Sequence, residues 1–277
     1  MDFYRGKRAY ITGGSSGIGL ATAKLMLKHG ASVAISARGK ERLATAEAEL
    51  KKLAGPEQKV LALSCDVSDS KDCQKVAQEV LAGLGGIDIV VANAGISHPS
   101  RILETSDEVF EKVMRINYFG TVYAIRAFLP HLFAQRRGHI AITSSSLGFM
   151  GIYGYTAYAA SKFAQIGFAE CLRQECLDKG ISMTILYPFD TETPQLAEEN
   201  KIKPAETKAI AGEVKSVPAE VVAEEFVKGI ACKQLHVVPG AMGKLTWMAK
   251  RVAPSLVNWV IDDALKKYQK KNPAPSA

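Results

Sequence analysis

The feature of this sequence that most constrains its fold is a regular alternation of short apolar runs with helix-length segments. The apolar runs are continuous rather than alternating with polar residues, which is typical of strands covered on both faces. Strands of this kind, separated by helices, pair in parallel through right-handed crossovers. The predicted strands are residues 8–12, 32–37, 60–64, 87–92, 139–143, 182–187 and 235–238.

Helical patterns fill the intervals between these strands, and no Pro- or Ser-rich linker interrupts residues 5–240. We therefore expect one α/β domain of Rossmann type in residues 1–240, a doubly wound parallel sheet with helices on both faces. Residues 241–277 are expected to form a basic, helical C-terminal extension of the same domain. The predicted helices of the domain are residues 17–29, 40–53, 70–84, 106–135, 157–179 and 218–233.

Composition argues against several classes of protein. Five scattered cysteines without a CxxC pair argue against a disulfide framework or a metal site, and favour a reducing cytoplasm. The formal charge is +7, yet no basic stripe interleaved with aromatic residues crosses the body of the chain, so nucleic acid is not the expected ligand. We see no apolar stretch long enough for a signal peptide or a membrane span.

A glycine-rich segment, TGGSSGIG at residues 12–19, follows the first predicted strand and opens the first predicted helix. Glycines at such a turn let the backbone approach a pyrophosphate, whose charge lies at the positive end of the helix. The spacing differs from the common GxGxxG fingerprint, and a purely structural turn is the alternative. The candidate cofactor-binding residues here are Gly13, Ser15, Ser16, Gly17, Ile18 and Gly19.

The end of the second predicted strand bears on the choice between the two nicotinamide cofactors. A carboxylate there would accept a hydrogen bond from the ribose 2′-hydroxyl, whereas a basic residue would pair with a 2′-phosphate. The chain has Ser36, Ala37 and Arg38 at this point, so NADPH/NADP+ is the expected cofactor. The alternative is a solvent-facing Arg38 at a helix cap, because Lys40 and Arg42 make this loop basic in any case.

A second group of polar residues lies later in the chain. Tyr158 and Lys162 are four residues apart and so share one face of a predicted helix. Ser145 lies at the carboxyl end of a predicted strand, and Asn117 lies in a helical stretch. Because ligands of doubly wound sheets bind outside the carboxyl ends of the strands, the pattern predicts that a hydroxyl, a phenol and an ammonium group gather there.

These motifs together resemble the short-chain dehydrogenase/reductase family over about residues 7–240. The resemblance implies that Asn117, Ser145, Tyr158 and Lys162 form a catalytic tetrad, which reduces carbonyls or oxidises alcohols with a nicotinamide cofactor. As hydride reaches a carbonyl carbon, the oxygen gains negative charge that Ser145 can hydrogen-bond and Tyr158 can protonate. Lys162 is expected to stabilise the phenolate and hold the nicotinamide ribose, and Asn117 to hold a water.

The resemblance also assigns residues beside the cofactor. It implies that Asp66, with Val67 next to it, meets the adenine; a helix or turn cap is the alternative for Asp66. It further implies that Asn93, Ala94 and Gly95 steady the central sheet, with cofactor contact and structural support both left open.

The segment after the sixth predicted strand reads PFDTETP and departs from the family at Phe189, where glycine is usual. Pro188, Thr191 and Thr193 are candidate cofactor residues, because the family places a threonine against the nicotinamide carboxamide. With AEEN, KP and ET further on, the segment resembles one subgroup, the 3-ketodihydrosphingosine reductases. The resemblance implies NADPH-dependent reduction of 3-ketodihydrosphingosine to dihydrosphingosine, a step of sphingolipid biosynthesis.

The residues around the predicted site suit a substrate with a long alkyl chain and an amino group. Met150, Tyr153, Tyr155 and Phe189 could line an apolar pocket, with ordinary core packing as the alternative. Four carboxylates could pair with the substrate's 2-ammonium or form a solvated lid: Asp190, Glu192, Glu198 and Glu199. Two other functions remain alternatives, a reductase of another long-chain or steroid ketone and a non-enzymatic NADPH-binding scaffold.

The C-terminal extension carries much of the positive charge, since residues 242–277 hold seven basic and two acidic residues. Residues 255–268 place apolar side chains along one helical face, and Trp247 and Trp259 suit an interfacial position. The extension therefore predicts either peripheral attachment to the cytosolic face of a membrane or packing on protein. The family resemblance implies a homo-oligomer, a dimer or tetramer formed through two long helices.

Overall fold

Seven parallel strands form the central sheet of the computed structural model, which describes residues 1–211 and 216–272. Two further strands lie outside this sheet, so the described residues form nine strands: β1 (Arg8–Thr12), β2 (Ser32–Ala37), β3 (Val60–Ser64), β4 (Ile89–Ala92), β5 (Gly138–Thr143), β6 (Ile181–Leu186), β7 (Thr191–Glu192), β8 (Val217–Pro218) and β9 (His236–Val237). The sheet has the order β3-β2-β1-β4-β5-β6-β9, and every neighbouring pair is parallel. β7 and β8 form a separate two-stranded pair.

The chain winds outward from β1 in both directions, because β2 and β3 lie on one side of it and β4, β5 and β6 on the other. The order of the strands therefore reverses between β1 and β4. Ligands of doubly wound sheets bind at this reversal, outside the carboxyl ends of the strands. The topology thus places the glycine turn after β1 and the segment after β4 side by side.

Two layers of helices cover the sheet. The helices are α1 (Gly17–Lys28), α2 (Lys40–Leu53), α3 (Ser70–Leu84), α4 (Asp107–Met114), α5 (Gly120–Gln135), α6 (Thr156–Cys176), α7 (Pro194–Ile202), α8 (Ala205–Ala211), α9 (Ala219–Ala231), α10 (Ala241–Val252) and α11 (Pro254–Lys271). On one face α1, α2 and α9 bury apolar side chains such as Met26, Leu50 and Phe226. On the other face α3, α5 and α6 bury Val80, Phe128 and their neighbours.

The fold class predicted from the sequence is confirmed, and most predicted elements end within a residue or two of the observed ones. The predicted helix 106–135 differs most, since a π-helical turn at Arg115–Phe119 separates α4 from α5. The predicted strand 87–92 begins at Ile89. The sequence did not predict α7, α8 or the short β7–β8 pair.

The C-terminal extension consists of α10 and α11, and residues 273–277 lie outside the described part of the chain. Trp247 of α10 packs 5.2 Å from the ring of His236 in β9, and the guanidinium of Arg251 lies 3.8 Å from the Trp247 ring. Trp247 therefore packs on the domain, one of the two alternatives for the extension, whereas Trp259 is exposed. No helix in residues 1–211 or 216–272 combines the length and hydrophobicity needed to cross a membrane.

Candidate active site

The glycine turn between β1 and α1 is shaped by its glycines. Gly13 has a φ of +66°, a conformation that other residues rarely adopt, and an added Cβ would lie 2.9 Å from the Ala94 Cα. A Cβ on Gly19 would collide with the carbonyl oxygen of Gly13. A Cβ on Gly17 would lie 2.9 Å from Thr193 Cγ2. Side chains at these three positions would fill the turn, so the glycines keep it open as a cradle.

Within residues 1–211 and 216–272, the start of α1 beside this turn has neither a capping side chain nor an acidic residue in its first turn. Ser16 is the N-cap residue of α1, but its hydroxyl makes no capping hydrogen bond, and the first turn of α1 holds no acidic residue. The amides of that turn keep their donors and the positive end of the helix is not neutralised. Ser15 is half-buried beside them, and Ile18 packs into the core beneath.

Asn93 joins the end of β4 to the glycine turn. Its side-chain Nδ2 donates to the carbonyl of Thr12 at 3.0 Å and to that of Gly13 at 3.3 Å. The backbone amides of Asn93 and Ala94 both donate to Thr12 Oγ1 at 2.9 Å. These bonds fix the two segments on either side of the strand reversal. Gly95 follows them.

Arg38 and Asp66 lie after the neighbouring strands β2 and β3. Arg38 is exposed. Burial, the largest single effect, raises the pKa of Asp66, but hydrogen bonds from Ser68 and the positive charge of Arg38 outweigh it, so the pKa of Asp66 is lowered. Asp66 Oδ1 accepts from Ser68 N at 3.0 Å and Ser68 Oγ at 2.8 Å, so this oxygen caps the local turn. Val67 is buried and packs against Gly120 at the start of α5.

Asn117 lies in the π-helical turn and is fully buried. Its Oδ1 accepts from Ile96 N at 2.8 Å, and its Nδ2 donates to Ile96 O and to Ser161 Oγ, both at 2.9 Å. The backbone carbonyl of Asn117 accepts from Thr121 Oγ1 at 2.7 Å and from Gln165 Nε2 at 2.8 Å. Asn117 therefore fastens the segment after β4 to α6.

Tyr158 and Lys162 lie one turn apart on α6, as their spacing predicts. Lys162 is buried, and its Nζ donates to the carbonyl of Thr143 at 2.9 Å and lies 5.5 Å from the centroid of the Tyr158 ring. A Cβ on Gly95 would lie 3.2 Å from Asn117 Oδ1 and 3.6 Å from Lys162 Nζ. The structure thus brings Asn117, Tyr158 and Lys162 around the carboxyl ends of β4 and β5.

Burial dominates the electrostatics of this pair. It lowers the pKa of Lys162 to about 7, against the opposing effect of the Glu199 carboxylate. Burial and then Glu199 raise the pKa of Tyr158 above its usual value, whereas hydrogen bonding with Ser145 and Gln195 lowers it. The sequence leads us to expect that Lys162 lowers the pKa of Tyr158. The structure instead gives Tyr158 a raised pKa. The phenol is protonated at neutral pH and can give up a proton.

Ser145 lies two residues beyond the end of β5 and is buried. Its Oγ accepts from Leu147 N at 3.1 Å at the start of a 3₁₀ turn. A hydroxyl has one proton to donate and can accept at the same time, so the O–H of Ser145 remains available. The Ser145 hydroxyl lowers the pKa of the Tyr158 phenol, which is the direction expected of a nearby hydrogen-bond donor.

The segment after β6 runs along the site towards the glycine turn. The carbonyl of Pro188 accepts from Ser146 N at 2.9 Å, and Thr191 Oγ1 donates to the carbonyl of Phe189 at 2.8 Å. Thr193 Oγ1 caps α7 by accepting from Leu196 N at 3.2 Å. The Thr193 hydroxyl still has its proton to donate, although its acceptor side holds the helix.

Three of the four predicted substrate residues gather beside Tyr158. Met150, Tyr155 and Phe189 belong to one apolar cluster with Tyr158, and the centroids of the Tyr155 and Tyr158 rings are 5.8 Å apart. Tyr153 instead turns towards α8, where its hydroxyl donates to Glu206 Oε1 at 3.3 Å. The apolar wall predicted from the sequence therefore forms without Tyr153.

A buried carboxylate completes the site. Glu199 of α7 is 8% exposed; its Oε2 accepts from the Tyr155 hydroxyl at 2.7 Å and its Oε1 from Gln195 Nε2 at 2.9 Å. Sequence reasoning grouped Glu199 with three other carboxylates and missed Gln195, which lies one helical turn before it on α7. The spacing of Gln195 and Glu199 was visible only once α7 was recognised as a helix.

The sequence is similar to known proteins over most of its length. The sequence model of the family described as short chain dehydrogenase matches residues 7–204. The chain is 41% identical over 225 residues to a Danio rerio protein named 3-dehydrosphinganine reductase, covering 80% of this chain and 68% of that one. A Mus musculus protein named 3-ketodihydrosphingosine reductase is 40% identical over the same shares of both chains.

Solved structures share the fold. A levodione reductase superposes with a TM-score of 0.80 at 25% identity, over 87% of this chain and 98% of that one. An alcohol dehydrogenase from Thermococcus sibiricus, solved in complex with 5-hydroxy-NADP, superposes with a TM-score of 0.69 at 28% identity, over 83% and 93%. From its sequence match, its sheet order and its site, the chain belongs to the short-chain dehydrogenase/reductase family of oxidoreductases.

Proposed function

We propose that this protein reduces 3-ketodihydrosphingosine to dihydrosphingosine with NADPH. The observation that carries the proposal is the 41% identity to the Danio rerio protein named 3-dehydrosphinganine reductase. The apolar cluster of Met150, Tyr155 and Phe189 beside Tyr158 supports a substrate with a long alkyl chain.

The residues of the site suit the reduction of a ketone. When bound, NADPH supplies a hydride to the carbonyl carbon, and the oxygen then needs a proton. Tyr158 is the proposed proton donor, because its raised pKa keeps the phenol protonated. Ser145 is proposed to donate a hydrogen bond to the same oxygen, because its own O–H is available and negative charge grows there.

Lys162 and Asn117 are proposed to support the proton donor. The buried Lys162 ammonium would stabilise the phenolate that remains after proton transfer and hold the ribose hydroxyls of the nucleotide. Asn117 holds the segment after β4 against α6 and thereby fixes the distance between the two sides of the cleft. A water held near Asn117 is the proposed source of the replacement proton.

The residues around the strand reversal fit a dinucleotide phosphate. The cradle formed by Gly13, Gly17 and Gly19 is open because these residues lack side chains. The backbone N–H groups in the first turn of α1 can donate to a pyrophosphate there. Arg38 at the end of β2 is proposed to bind a 2′-phosphate, with Asp66 towards the adenine. The alcohol dehydrogenase with 5-hydroxy-NADP supports the same cofactor class.

The test is NADPH oxidation by the purified protein with 3-ketodihydrosphingosine, beside cyclohexanone and a steroid ketone. We expect turnover with the sphingoid ketone, falling as its alkyl chain is shortened. Tyr158→Phe should abolish turnover while NADPH affinity, measured by fluorescence titration, stays nearly unchanged, because the phenol acts mainly in the transition state. No turnover of any sphingoid ketone would contradict the proposal, and full activity of Tyr158→Phe would contradict the role of Tyr158.

We also propose that the protein lies in the cytoplasm, attached to the surface of a membrane through α10 and α11. These helices expose a series of large apolar side chains close to basic ones. A substrate with a long alkyl chain resides in membrane, so attachment would bring the site to it. The exposed apolar residues are Met242, Leu245, Met248, Val252, Leu256, Trp259 and Val260.

A homo-oligomer is the proposed assembly. Phe119, at the π-helical turn before α5, is 42% exposed and Phe163 of α6 is 46% exposed, which supports a contact through these two long helices. Sedimentation equilibrium would give the mass of the assembly. A monomer at micromolar concentration would contradict this proposal.

A further inference from the structure

Glu199 lies where a charged ligand group would be recognised. Its carboxylate is buried against Tyr155, whose ring adjoins that of Tyr158. Each oxygen accepts one hydrogen bond from a neutral group, and each has further acceptor capacity. Burying a carboxylate is costly unless positive charge compensates it.

The neighbouring carboxylates have partners. Asp190 pairs with Lys203 at 3.2 Å, and Glu198 pairs with Lys201 at the surface. Within residues 1–211 and 216–272, no lysine, arginine or histidine forms an ion pair with Glu199. Lys162 interacts with Glu199 through space but forms no ion pair with it, so a cation of the ligand can be the direct partner of this carboxylate.

We propose that Glu199 binds the ammonium group of the substrate and so selects 2-amino ketones over plain ketones. This inference rests on the proposed function, because it assumes that a ketone is reduced at Tyr158. In a 2-amino ketone the nitrogen is carried by the carbon next to the carbonyl carbon. A ketone oxygen at Tyr158 and Ser145 therefore brings the ammonium close to the Tyr158 ring, and the neighbouring Tyr155 donates a hydrogen bond to Glu199.

An ammonium at Glu199 also changes the electrostatics of the proton donor. The Glu199 carboxylate contributes to the raised pKa of Tyr158, so in the absence of a cation it opposes formation of the phenolate. A bound ammonium would neutralise that effect when the proton leaves. Glu199 therefore serves selectivity directly and favours proton transfer only for substrates that carry the charge.

The test compares two substrates in detergent micelles, 3-ketodihydrosphingosine and its desamino analogue 1-hydroxyoctadecan-3-one. In Glu199→Gln the amide oxygen can still accept from Tyr155, so the packing of α7 is kept while the charge is removed. We expect kcat/KM for the amino ketone to fall about 10- to 100-fold, as for a lost charge-assisted hydrogen bond. The value for the desamino ketone should not fall, and it should rise to the extent that the Glu199 charge opposes formation of the phenolate. Glu198→Gln is the matched control, and neither substrate should respond to it.

Equal losses on both substrates would show that Glu199 is structural and would overturn the inference, as would an unchanged ratio. A second measurement separates this from the proposed function. Calorimetric binding of dihydrosphingosine and of octadecane-1,3-diol to the full-length protein with NADP+ should show an amine preference that Glu199→Gln removes. If wild-type protein reduces no sphingoid ketone but keeps this preference, the proposed function fails and the ammonium site stands. If turnover is present and the preference is absent or survives in Glu199→Gln, the ammonium site fails alone.

Discussion

At the scale of single residues, we expect Arg38 to decide between the two cofactors. It is exposed at the end of β2, next to Asp66 at the end of β3, where the ribose of a dinucleotide is expected. Arg38→Ala should weaken NADPH binding about ten- to a hundredfold and leave NADH binding unchanged, because only NADPH carries the 2′-phosphate. Fluorescence titration measures both, with Arg42→Ala as the control. Equal losses for both nucleotides would mean that Arg38 acts on the fold.

Lys162 gives the stability of the protein a pH dependence of unusual sign for a lysine. Its pKa is about 7 in the folded protein and about 10.4 when unfolded, so between these values the unfolded chain binds more protons. The Lys162 contribution to the free energy of unfolding therefore rises with pH in this window, and below pH 7 the full cost of burying the charge is present. We predict that Lys162→Met gains stability over wild type as pH falls from 10 to 7, by about 1.4 kcal/mol per pH unit.

Urea denaturation of the two proteins without nucleotide, at pH 7, 8, 9 and 10, gives that difference. The lost hydrogen bond to the carbonyl of Thr143 lowers the stability of the variant equally at each pH, so the slope isolates the titration of Lys162. A difference that does not vary with pH would mean that Lys162 keeps an ordinary pKa in the fold.

At the scale of elements, α7 carries Gln195 and Glu199 at the proposed substrate end of the site, so we expect the stability of this helix to affect substrate binding. Thr193 caps this helix, and its first turn carries Gln195. Thr193→Ala should cost about 1 kcal/mol of helix stability and raise KM for the ketone more than it lowers kcat. Hydrogen exchange of the α7 amides measures the loosening. Thr193→Ser keeps the capping hydroxyl, and if it behaved like Thr193→Ala the cap would not be the cause.

The elements of the sheet could be predicted from the sequence because each is encoded locally. β2 and α2 have the predicted bounds, since an apolar run and a run of strong helix formers specify them. β7 could not be found in this way, because its two residues pair with Val217 and Pro218, far along the chain. The helix α7 did have a local signal, a threonine cap followed by proline, which was read only as a family motif.

The site was predictable to the extent that short motifs encode it. The spacing of Tyr158 and Lys162 placed them on one helical face, where the structure has them. Tertiary packing could not be predicted in the same way. The sequence suggests an interfacial position for Trp247, yet its ring packs on His236. Glu199 lacks an ion pair within the described residues because the nearby lysines Lys201 and Lys203 pair with Glu198 and Asp190. Those pairings are a property of the tertiary structure.

At the scale of the whole molecule, we propose that the exposed face of α10 and α11 attaches the protein to a membrane surface. Leu256 and Trp259 are 58% and 63% exposed on α11, which packs against α8 and α10. The double variant Leu256→Glu, Trp259→Glu should lose co-sedimentation with vesicles of phosphatidylcholine and phosphatidylserine, because it removes apolar area and adds negative charge. Leu177→Glu, at an exposed position just before the amino end of β6 and outside α10 and α11, is the control and should sediment like wild type.

Salt provides a second check on this attachment, since raised ionic strength should weaken the contribution of the lysines. Equal sedimentation of wild type and the double variant would contradict attachment through α11. So would the absence of wild-type protein from the pellet at low salt.

The helix α7 touches both ends of the cleft. At its start Thr193 lies against Gly17 of the phosphate cradle, and within it Glu199 holds Tyr155 beside the proton donor. A nucleotide bound at the glycine turn would lie beside Thr193, and α7 connects that position to Glu199 and Tyr155. We therefore predict that binding is ordered, with the dinucleotide first and the ketone second. Product-inhibition kinetics with NADP+ and dihydrosphingosine would test this, and a random order would contradict it.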